Sequence, residues 1–278
     1  MLIIELLKAV LFGIVEGITE WLPISSTGHM ILLNEFLSLD VSPAFWELFE
    51  VVIQLGAILA VIVLFFRKLN PLSPSKEAKE KAATWRLWGL VIIAVLPSAV
   101  IGLLLDDWLN EHFYNYVTVA AALIVYGIAF IVIERLRKDT APRVETVEQL
   151  TVRDALTVGI FQVLAVIPGT SRSGSTILGG MLTGVARPAG AEFSFFLAIP
   201  VMLGASALKI LKYVLDFGLA FTLQELTLLL VGIVVAFLVS LCAIRFLVSF
   251  VRRHSFAVFG WYRIALGVVV LGVNLLLS

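Results

Sequence analysis

The sequence predicts an all-α protein that crosses the membrane several times, and three observations support this fold class. The chain has 278 residues, of which 60% are hydrophobic and 14% are charged, against roughly 25% charged residues in a soluble domain. Its mean hydropathy is +1.05. Apolar runs as long as the roughly 18 to 20 residues that a membrane helix needs recur along most of the chain. Hydrophobicity is therefore a property of the whole fold and not of one targeting segment.

Six apolar runs are long enough, or nearly long enough, to cross the bilayer as helices. They cover residues 47–66, 87–105, 117–134, 193–215, 224–250 and 257–277. Two further apolar segments, 2–36 and 155–186, are interrupted midway by proline, glycine and hydroxyl residues. Irregular backbone at membrane depth is tolerated only where protein or a water-filled cavity satisfies its polar groups. We therefore predict that these two segments are re-entrant helix hairpins.

The basic residues predict the orientation of the chain. Lysine and arginine concentrate in the connections 67–86 and 135–153 and at 252–253, whereas the connection 106–116 has neither. Positively charged loops stay on the cytoplasmic side. We therefore expect residues 135–152 to form a cytoplasmic linker and both termini to be extracytoplasmic.

The two halves of the chain resemble each other weakly in sequence and closely in predicted topology. A shift of 146 residues, the difference between positions 25 and 171, places the run GIVE over GIFQ and Ser25 over Ser171. Each half is a broken hairpin followed by three crossings, and because three is odd, the second half enters from the opposite face. The prediction is one integral membrane domain, 1–278, built as an inverted repeat of about 1–134 and about 153–278. Discontinuous helices in such repeats meet near the bilayer midplane and form a binding site.

The first broken segment contains EGITEWLPISSTGH, residues 16–29, whose polar groups are unusual in lipid. Glu16 and Glu20 are four residues apart and share one helix face. Two such carboxylates can hold Mg²⁺ or Ca²⁺, and intramembrane carboxylates usually face a cavity, a partner or an ion. Ser26 is a candidate nucleophile, and His29 is a candidate general acid or base. Attack by Ser26, by His29 and by a metal-activated water all remain open.

The second broken segment contains PGTSRSGST, residues 168–176, which is suited to binding an anion. Hydroxyl groups of Ser171, Ser173 and Thr176 stand where a helix restarts, and the free N–H groups of a helix N-terminus attract anions. Arg172 adds a planar guanidinium that can bind phosphate through two hydrogen bonds. A phosphate or diphosphate is the anion that these donors fit best.

Taken together, the two motifs predict phosphoryl transfer to water at a site between the halves. Arg172 and the hydroxyl groups would neutralise charge on the transferred group, which is the main catalytic task in such reactions. The equal numbers of basic and acidic residues, 20 of each, argue against nucleic acid as a partner.

The two motifs and the ending FGWYRIALG resemble the bacterial undecaprenyl-diphosphate phosphatase family, also known as the bacitracin-resistance phosphatases. The resemblance extends over essentially the whole chain. It implies hydrolysis of undecaprenyl diphosphate to undecaprenyl phosphate and inorganic phosphate in the bacterial cytoplasmic (inner) membrane. This reaction recycles the lipid carrier for peptidoglycan and cell-envelope synthesis and confers bacitracin resistance. The resemblance also implies a divalent cation and a site open to the extracytoplasmic side.

Carried over by position, the resemblance assigns catalytic roles to Glu16, Glu20, Ser26, His29 and Arg172. The substrate-binding positions are Ser171, Arg172, Ser173 and Thr176, and the metal positions are Glu16 and Glu20. Arg263, in the last apolar run, is a candidate support for the site. Membrane lipids and a second copy of the chain are the other expected partners.

Two alternative functions fit these residues less well. The phosphatidic-acid-phosphatase type 2 superfamily has a histidine six residues after the arginine of its Ser-Arg motif, but Leu178 stands six residues after Arg172. The other alternative is a polyprenyl-phosphate transporter or flippase, because inverted repeats with broken helices are common in transporters. A carrier has little need of Glu16, Glu20 and His29 together, so phosphate release in detergent separates the two.

Overall fold

A computed structural model describes residues 2–113, 115–218 and 221–277, over which the chain is almost entirely helical. The helices are α1 (Leu2–Thr19), α2 (Ser26–Leu37), α3 (Pro43–Val52), α4 (Gln54–Leu64), α5 (Phe66–Leu69), α6 (Ala78–Phe113), α7 (Tyr116–Leu136), α8 (Val152–Val163), α9 (Arg172–Leu182), α10 (Arg187–Phe217), α11 (Leu223–Phe250) and α12 (Ala257–Leu277). No β-strand occurs in these ranges; there is one isolated parallel bridge, between Val144 and Val185. The side chains of the acidic residues in the connection 106–116, Asp106, Asp107 and Glu111, lie outside the described part.

Six helical stretches are long and apolar enough to cross a membrane, which confirms the predicted multi-pass fold. They are Pro43–Leu64, Ala78–Leu105, Tyr116–Leu136, Arg187–Phe217, Leu223–Phe250 and Ala257–Leu276. The second begins at Ala78 and not at residue 87, because its first turns are rich in Lys, Glu and Ala, which favour helix without being apolar. The first is divided into α3 and α4 at Ile53.

Both interrupted segments form pairs of short helices, as the hairpin prediction requires. The backbone leaves the helix between Thr19 and Ser26 in the first pair and between Val163 and Arg172 in the second. Neither α1 and α2 nor α8 and α9 are among the six spanning stretches. The irregular backbone of each pair therefore lies between two helices outside the six spanning stretches, which is consistent with the predicted re-entrant hairpins.

The helix contacts made by one half of the chain have counterparts in the other half. Helix α1 packs on α11 as α8 packs on α6, α2 contacts α12 as α9 contacts α7, and α7 and α12 pack on each other. Gly13 and Gly159, related by the 146-residue shift, mark the two equivalent close approaches. A Cβ at Gly13 would lie 2.8 Å from the Gly232 carbonyl oxygen, and one at Gly159 would lie 2.4 Å from that of Ala94. Such small residues let membrane helices approach backbone to backbone, so the packing brings both broken loops to the centre.

Candidate active site

Two serines in strained conformations begin the second helix of each broken pair. Ser25 has φ 72° and Ser171 has φ 70°, and they are the only non-glycine residues with positive φ in the described ranges. Each serine side chain accepts a hydrogen bond from a glycine N–H three residues later, at Gly28 and Gly174. Backbone strain of this kind costs on the order of 1 to 3 kcal/mol and is retained mainly at functional sites. The two halves therefore present the same strained cap at repeat-related positions.

The carboxylate of Glu20 connects the two motifs. Its Oε1 accepts a hydrogen bond from Arg172 Nη2 at 3.0 Å, and its Oε2 accepts one from Ser26 Oγ at 2.8 Å. Glu20 is only 7% exposed, so the charge of Arg172 offsets the cost of burying the carboxylate. The structure thus brings a predicted metal-binding carboxylate, a predicted nucleophile and the predicted phosphate clamp into one hydrogen-bonded group.

The guanidinium of Arg172 is held by α10 as well as by Glu20. Its Nη1 donates to the Ser194 carbonyl oxygen at 2.7 Å, and Thr176 Oγ1 donates to Ser194 Oγ at 2.8 Å. Nε of Arg172 is buried and has no hydrogen-bond partner among the described residues. One donor of the guanidinium therefore has no partner in the described part of the protein, while Thr176 is placed to support Arg172 through Ser194.

Ser173 and Arg263 fasten the two loops to each other. Ser173 Oγ donates to the Glu20 carbonyl oxygen at 3.1 Å. Arg263, fully buried on α12, donates to the carbonyl oxygens of Pro23 at 3.2 Å, Gly169 at 2.9 Å and Thr170 at 2.8 Å. One side chain therefore bonds to the backbone of both broken segments, which gives Arg263 the supporting position expected from the sequence.

A cavity of about 450 Å³ opens on the Glu20 and Arg172 pair. The residues of the two motifs that line it are Glu20, Ser26, Thr27, Pro168, Gly169, Ser171 and Arg172. Its other walls come largely from α6 and α10 and are mostly apolar, for example Leu103 and Met202. The lining is polar at the Glu20 and Arg172 pair and largely apolar elsewhere, apart from Gln54, Ser98 and Gln162, which suits a ligand with a charged head and an apolar tail.

His29 lies beside this cavity and does not line it. Its Nδ1 is 2.7 Å from the Ser25 carbonyl oxygen and its Nε2 is 2.7 Å from the Tyr262 hydroxyl. Because the carbonyl can only accept, Nδ1 carries the proton in this arrangement and Nε2 accepts from Tyr262 when the ring is neutral. The structure thus places His29 where it holds the turn that precedes Ser26.

Glu16 is also outside the cavity lining, one helical turn before Glu20. Its side chain is 1% exposed, and Oε1 has no hydrogen-bond partner in the described part of the chain. A buried carboxylate oxygen left unpaired is costly, and a cation is one way to satisfy it. No three His, Cys, Asp or Glu side chains within the described ranges converge on a complete metal site. Mg²⁺ nevertheless often takes only one or two carboxylates and completes its shell with water and substrate phosphate, so the two glutamates fit this use.

Three polar side chains of the cavity were not singled out from the sequence: Gln54, Ser98 and Gln162. Gln162 Nε2 donates to Ser98 Oγ at 2.6 Å, and its buried Oε1 has no partner among the described residues. The signal for Gln162 was present, because the 146-residue shift places it over Glu16. No pattern in the sequence marked Gln54, Ser98 or Ser194.

Known bacterial proteins resemble this chain over nearly its whole length. A model of the family described as "Bacitracin resistance protein BacA" matches residues 9–269. An undecaprenyl-diphosphatase of Enterococcus faecalis is 57% identical over 272 residues, 98% of this chain and 98% of that protein. An undecaprenyl-diphosphatase of Desulfitobacterium hafniense is also 57% identical, over 98% of this chain and 96% of its own length. One from Streptococcus thermophilus is 56% identical over 97% of this chain and 93% of that protein.

Proposed function

Because this chain belongs to the family of the bacitracin resistance protein BacA, we propose that its two broken loops form the active site of an undecaprenyl-diphosphate phosphatase. The protein hydrolyses undecaprenyl diphosphate to undecaprenyl phosphate and inorganic phosphate, within a multi-pass membrane fold. The observation that carries the assignment of the site is the shared carboxylate of Glu20, which holds Arg172 at 3.0 Å and Ser26 at 2.8 Å.

The shape of the cavity suits a lipid diphosphate better than a soluble one. Arg172 and the hydroxyl groups stand at its polar end, where they meet the phosphates. The opposite walls lead along α6 and α10 to side chains that face the lipid, such as Leu103, which is 69% exposed. A prenyl chain leaving the polar end in this direction stays in contact with hydrocarbon.

The geometry favours Ser26 as the nucleophile among the three candidates. Glu20 takes the proton of Ser26 while Oγ attacks the terminal phosphorus; the bond to the bridging oxygen breaks, and undecaprenyl phosphate leaves. Glu20 releases that proton to solvent. In the second step it takes a proton from water, which attacks the phosphoserine, and passes this proton to Oγ as the bond to phosphorus breaks. Arg172 neutralises charge on the transferred group in both steps. His29 bonds to Ser25 and Tyr262, so its role is to position the Ser26 turn.

Rapid quenching of wild-type protein with substrate labelled on the terminal phosphate is expected to trap phosphoserine at position 26. Ser26→Ala should show no label and should lose at least about a thousandfold in turnover, as nucleophile removal does elsewhere. Thr157→Val, which removes an exposed hydroxyl from α8, is the matched control. It should keep both the phosphoserine label and the wild-type turnover. If the wild-type protein hydrolyses the substrate but carries no label, Ser26 is not the nucleophile. Substrate binding with no phosphate release by wild type would reject the phosphatase itself and favour a carrier.

The divalent cation is proposed to lie between the substrate and the two glutamates. Glu16, whose Oε1 has no partner among the described residues, and Glu20 are the residues that would hold the cation, Mg²⁺ or Ca²⁺, which would supply positive charge to neutralise the diphosphate. Chelation should abolish phosphate release, and either cation should restore it. Glu16→Gln should raise the cation concentration for half-maximal rate by about ten- to a hundredfold, whereas Glu35→Gln, an exposed carboxylate bonded to Tyr116, should not. Full activity after exhaustive chelation would contradict the metal assignment.

Both termini are proposed to face away from the cytoplasm. The observation behind this orientation is the set of basic connections after α4 and α7 and before α12, which all fall on one side if six stretches cross. A topology reporter fused to either end should give the extracytoplasmic signal in intact cells. A cytoplasmic signal from the N-terminal fusion would contradict the proposed orientation.

A further inference from the structure

A second cavity, remote from the active site, lies where α4 and α11 end. It has a volume of about 390 Å³, within the range of about 300 to 1,000 Å³ typical of small-ligand sites. Arg245, Ser249, Arg252 and Arg253 supply its polar lining, and its remaining walls are mainly apolar residues such as Leu64 and Phe65. The proposed reaction uses none of these residues.

The three arginines of this cavity have no counter-charge among the residues that the structure describes. The side chains of Arg245, Arg252 and Arg253 make no hydrogen bond or ion pair with any of those residues. Some other cations near helix ends are paired, for example Lys68 with Glu148 at 2.8 Å and with Glu192 at 2.7 Å. Three like charges facing one cavity repel one another unless an anion lies between them.

The position of Arg245 along its helix indicates where that anion comes from. Arg245 stands five residues before the end of α11 at Phe250, which is about 7.5 Å along the helix axis at 1.5 Å per residue. An arginine side chain is long enough to span this distance, so Arg245 stands at a depth from which basic side chains can snorkel to headgroups. A soluble anion has no need of the apolar wall beside it, whereas a lipid fills both parts.

We propose that this cavity binds the phosphate headgroup of an anionic glycerophospholipid from the leaflet on the side of the basic connections. Arg245, Arg252 and Arg253 surround the phosphate, Ser249 donates to one of its oxygens, and an acyl chain lies along Leu64 and Phe65. Basic pockets between membrane helices bind anionic headgroups in this way. The site is structural and belongs to the surrounding membrane, so it is independent of the reaction at Glu20 and Arg172.

The test is lipid retention by the full-length protein in detergent, measured by native mass spectrometry with phosphatidylglycerol and phosphatidylcholine of the same acyl chains. Wild type should retain phosphatidylglycerol in preference to phosphatidylcholine. The triple variant R245Q/R252Q/R253Q should weaken phosphatidylglycerol binding by at least about tenfold, since each surface cation contributes to such binding. The matched control R135Q/R137Q/K138Q removes three cations from the end of α7 and should change binding by less than about twofold. If the triple variant does not fold, Arg245→Gln alone should weaken binding by a smaller factor.

Three results would overturn the proposal. The first is equal retention of phosphatidylglycerol by wild type and a folded triple variant. The second is equal affinity of wild type for phosphatidylcholine, which would show that the negative charge is not recognised. The third is preferential retention of farnesyl monophosphate, which would show a prenyl phosphate site. Phosphate release from undecaprenyl diphosphate should be unchanged in the triple variant and in the control, so failure of this proposal is distinct from failure of the phosphatase assignment.

Discussion

Arg172→Lys should lower kcat/KM by about a hundredfold or more although the positive charge is kept. The guanidinium of Arg172 spans two fixed acceptors, Glu20 Oε1 at 3.0 Å and the Ser194 carbonyl oxygen at 2.7 Å, and its buried Nε has no partner among the described residues. A lysine ammonium is a single point donor and cannot hold both acceptors and a phosphate oxygen at once. Removing one preorganised donor at a developing charge typically costs about a hundred- to a thousandfold in rate. Steady-state phosphate release in detergent measures the loss.

The matched control is Arg187→Lys, because Arg187 also binds a carboxylate through two hydrogen bonds but lies outside the site. Its Nε is 2.8 Å from Glu134 Oε1 and its Nη2 is 2.5 Å from Oε2. This variant should lower the Tm while turnover per folded molecule stays near wild type. Wild-type kcat/KM in Arg172→Lys, with correct folding, would show that Arg172 does not clamp the substrate through its fork.

Glu20→Gln should lower kcat by about a thousandfold or more, with a smaller change in KM. The amide keeps the size of the side chain and can still accept a hydrogen bond from Arg172, but it cannot take the proton of Ser26. General base catalysis by a positioned side chain contributes typically about a hundred- to ten-thousandfold. The loss of the negative charge also leaves the positive charge of Arg172 without a counter-charge at this position, which adds to the loss of rate.

Glu47→Gln is the control for this substitution, since Glu47 also pairs with a cation, Lys209, at 2.6 Å but is largely exposed. It should leave phosphate release within about twofold of wild type, because exposed ion pairs contribute little. Retention of a tenth or more of the wild-type kcat by folded Glu20→Gln would mean that another group accepts the proton. The pH dependence of the remaining rate would then identify that group.

The fold could be predicted from the sequence because the apolar runs, and the residues that interrupt them, are recognised directly from residue types. The six crossings and the two interrupted segments follow from the length of the apolar runs and from the Pro, Gly and Ser residues between them. The predicted ends of the helices were less accurate, as at Ala78, because amphiphilic turns extend a helix beyond its apolar part.

The site could be predicted to the level of its motifs but not to the level of its contacts. Glu20, Ser26 and Arg172 stand together as expected, since two polar loops in one membrane protein must satisfy each other. His29, which the sequence equally suggested as a proton carrier, bonds to Ser25 and Tyr262. Several hydroxyl and acidic side chains lie within one helical turn of each other. Their contacts depend on the direction of each side chain, which helix spacing alone does not determine. Ser194 supports Arg172 from a third helix and carried no local signal.

The bonds of Arg263 impose an order on biosynthesis. The chain emerges from its N-terminus, so the loop around Pro23 and the loop around Gly169 are both made long before the helix that carries Arg263. Until α12 enters the membrane, three backbone carbonyls in the two loops lack the donor that joins them. The active site is therefore the last part of the molecule to be completed, and a chain interrupted before residue 263 would carry both catalytic motifs without the bonds of Arg263 that join them.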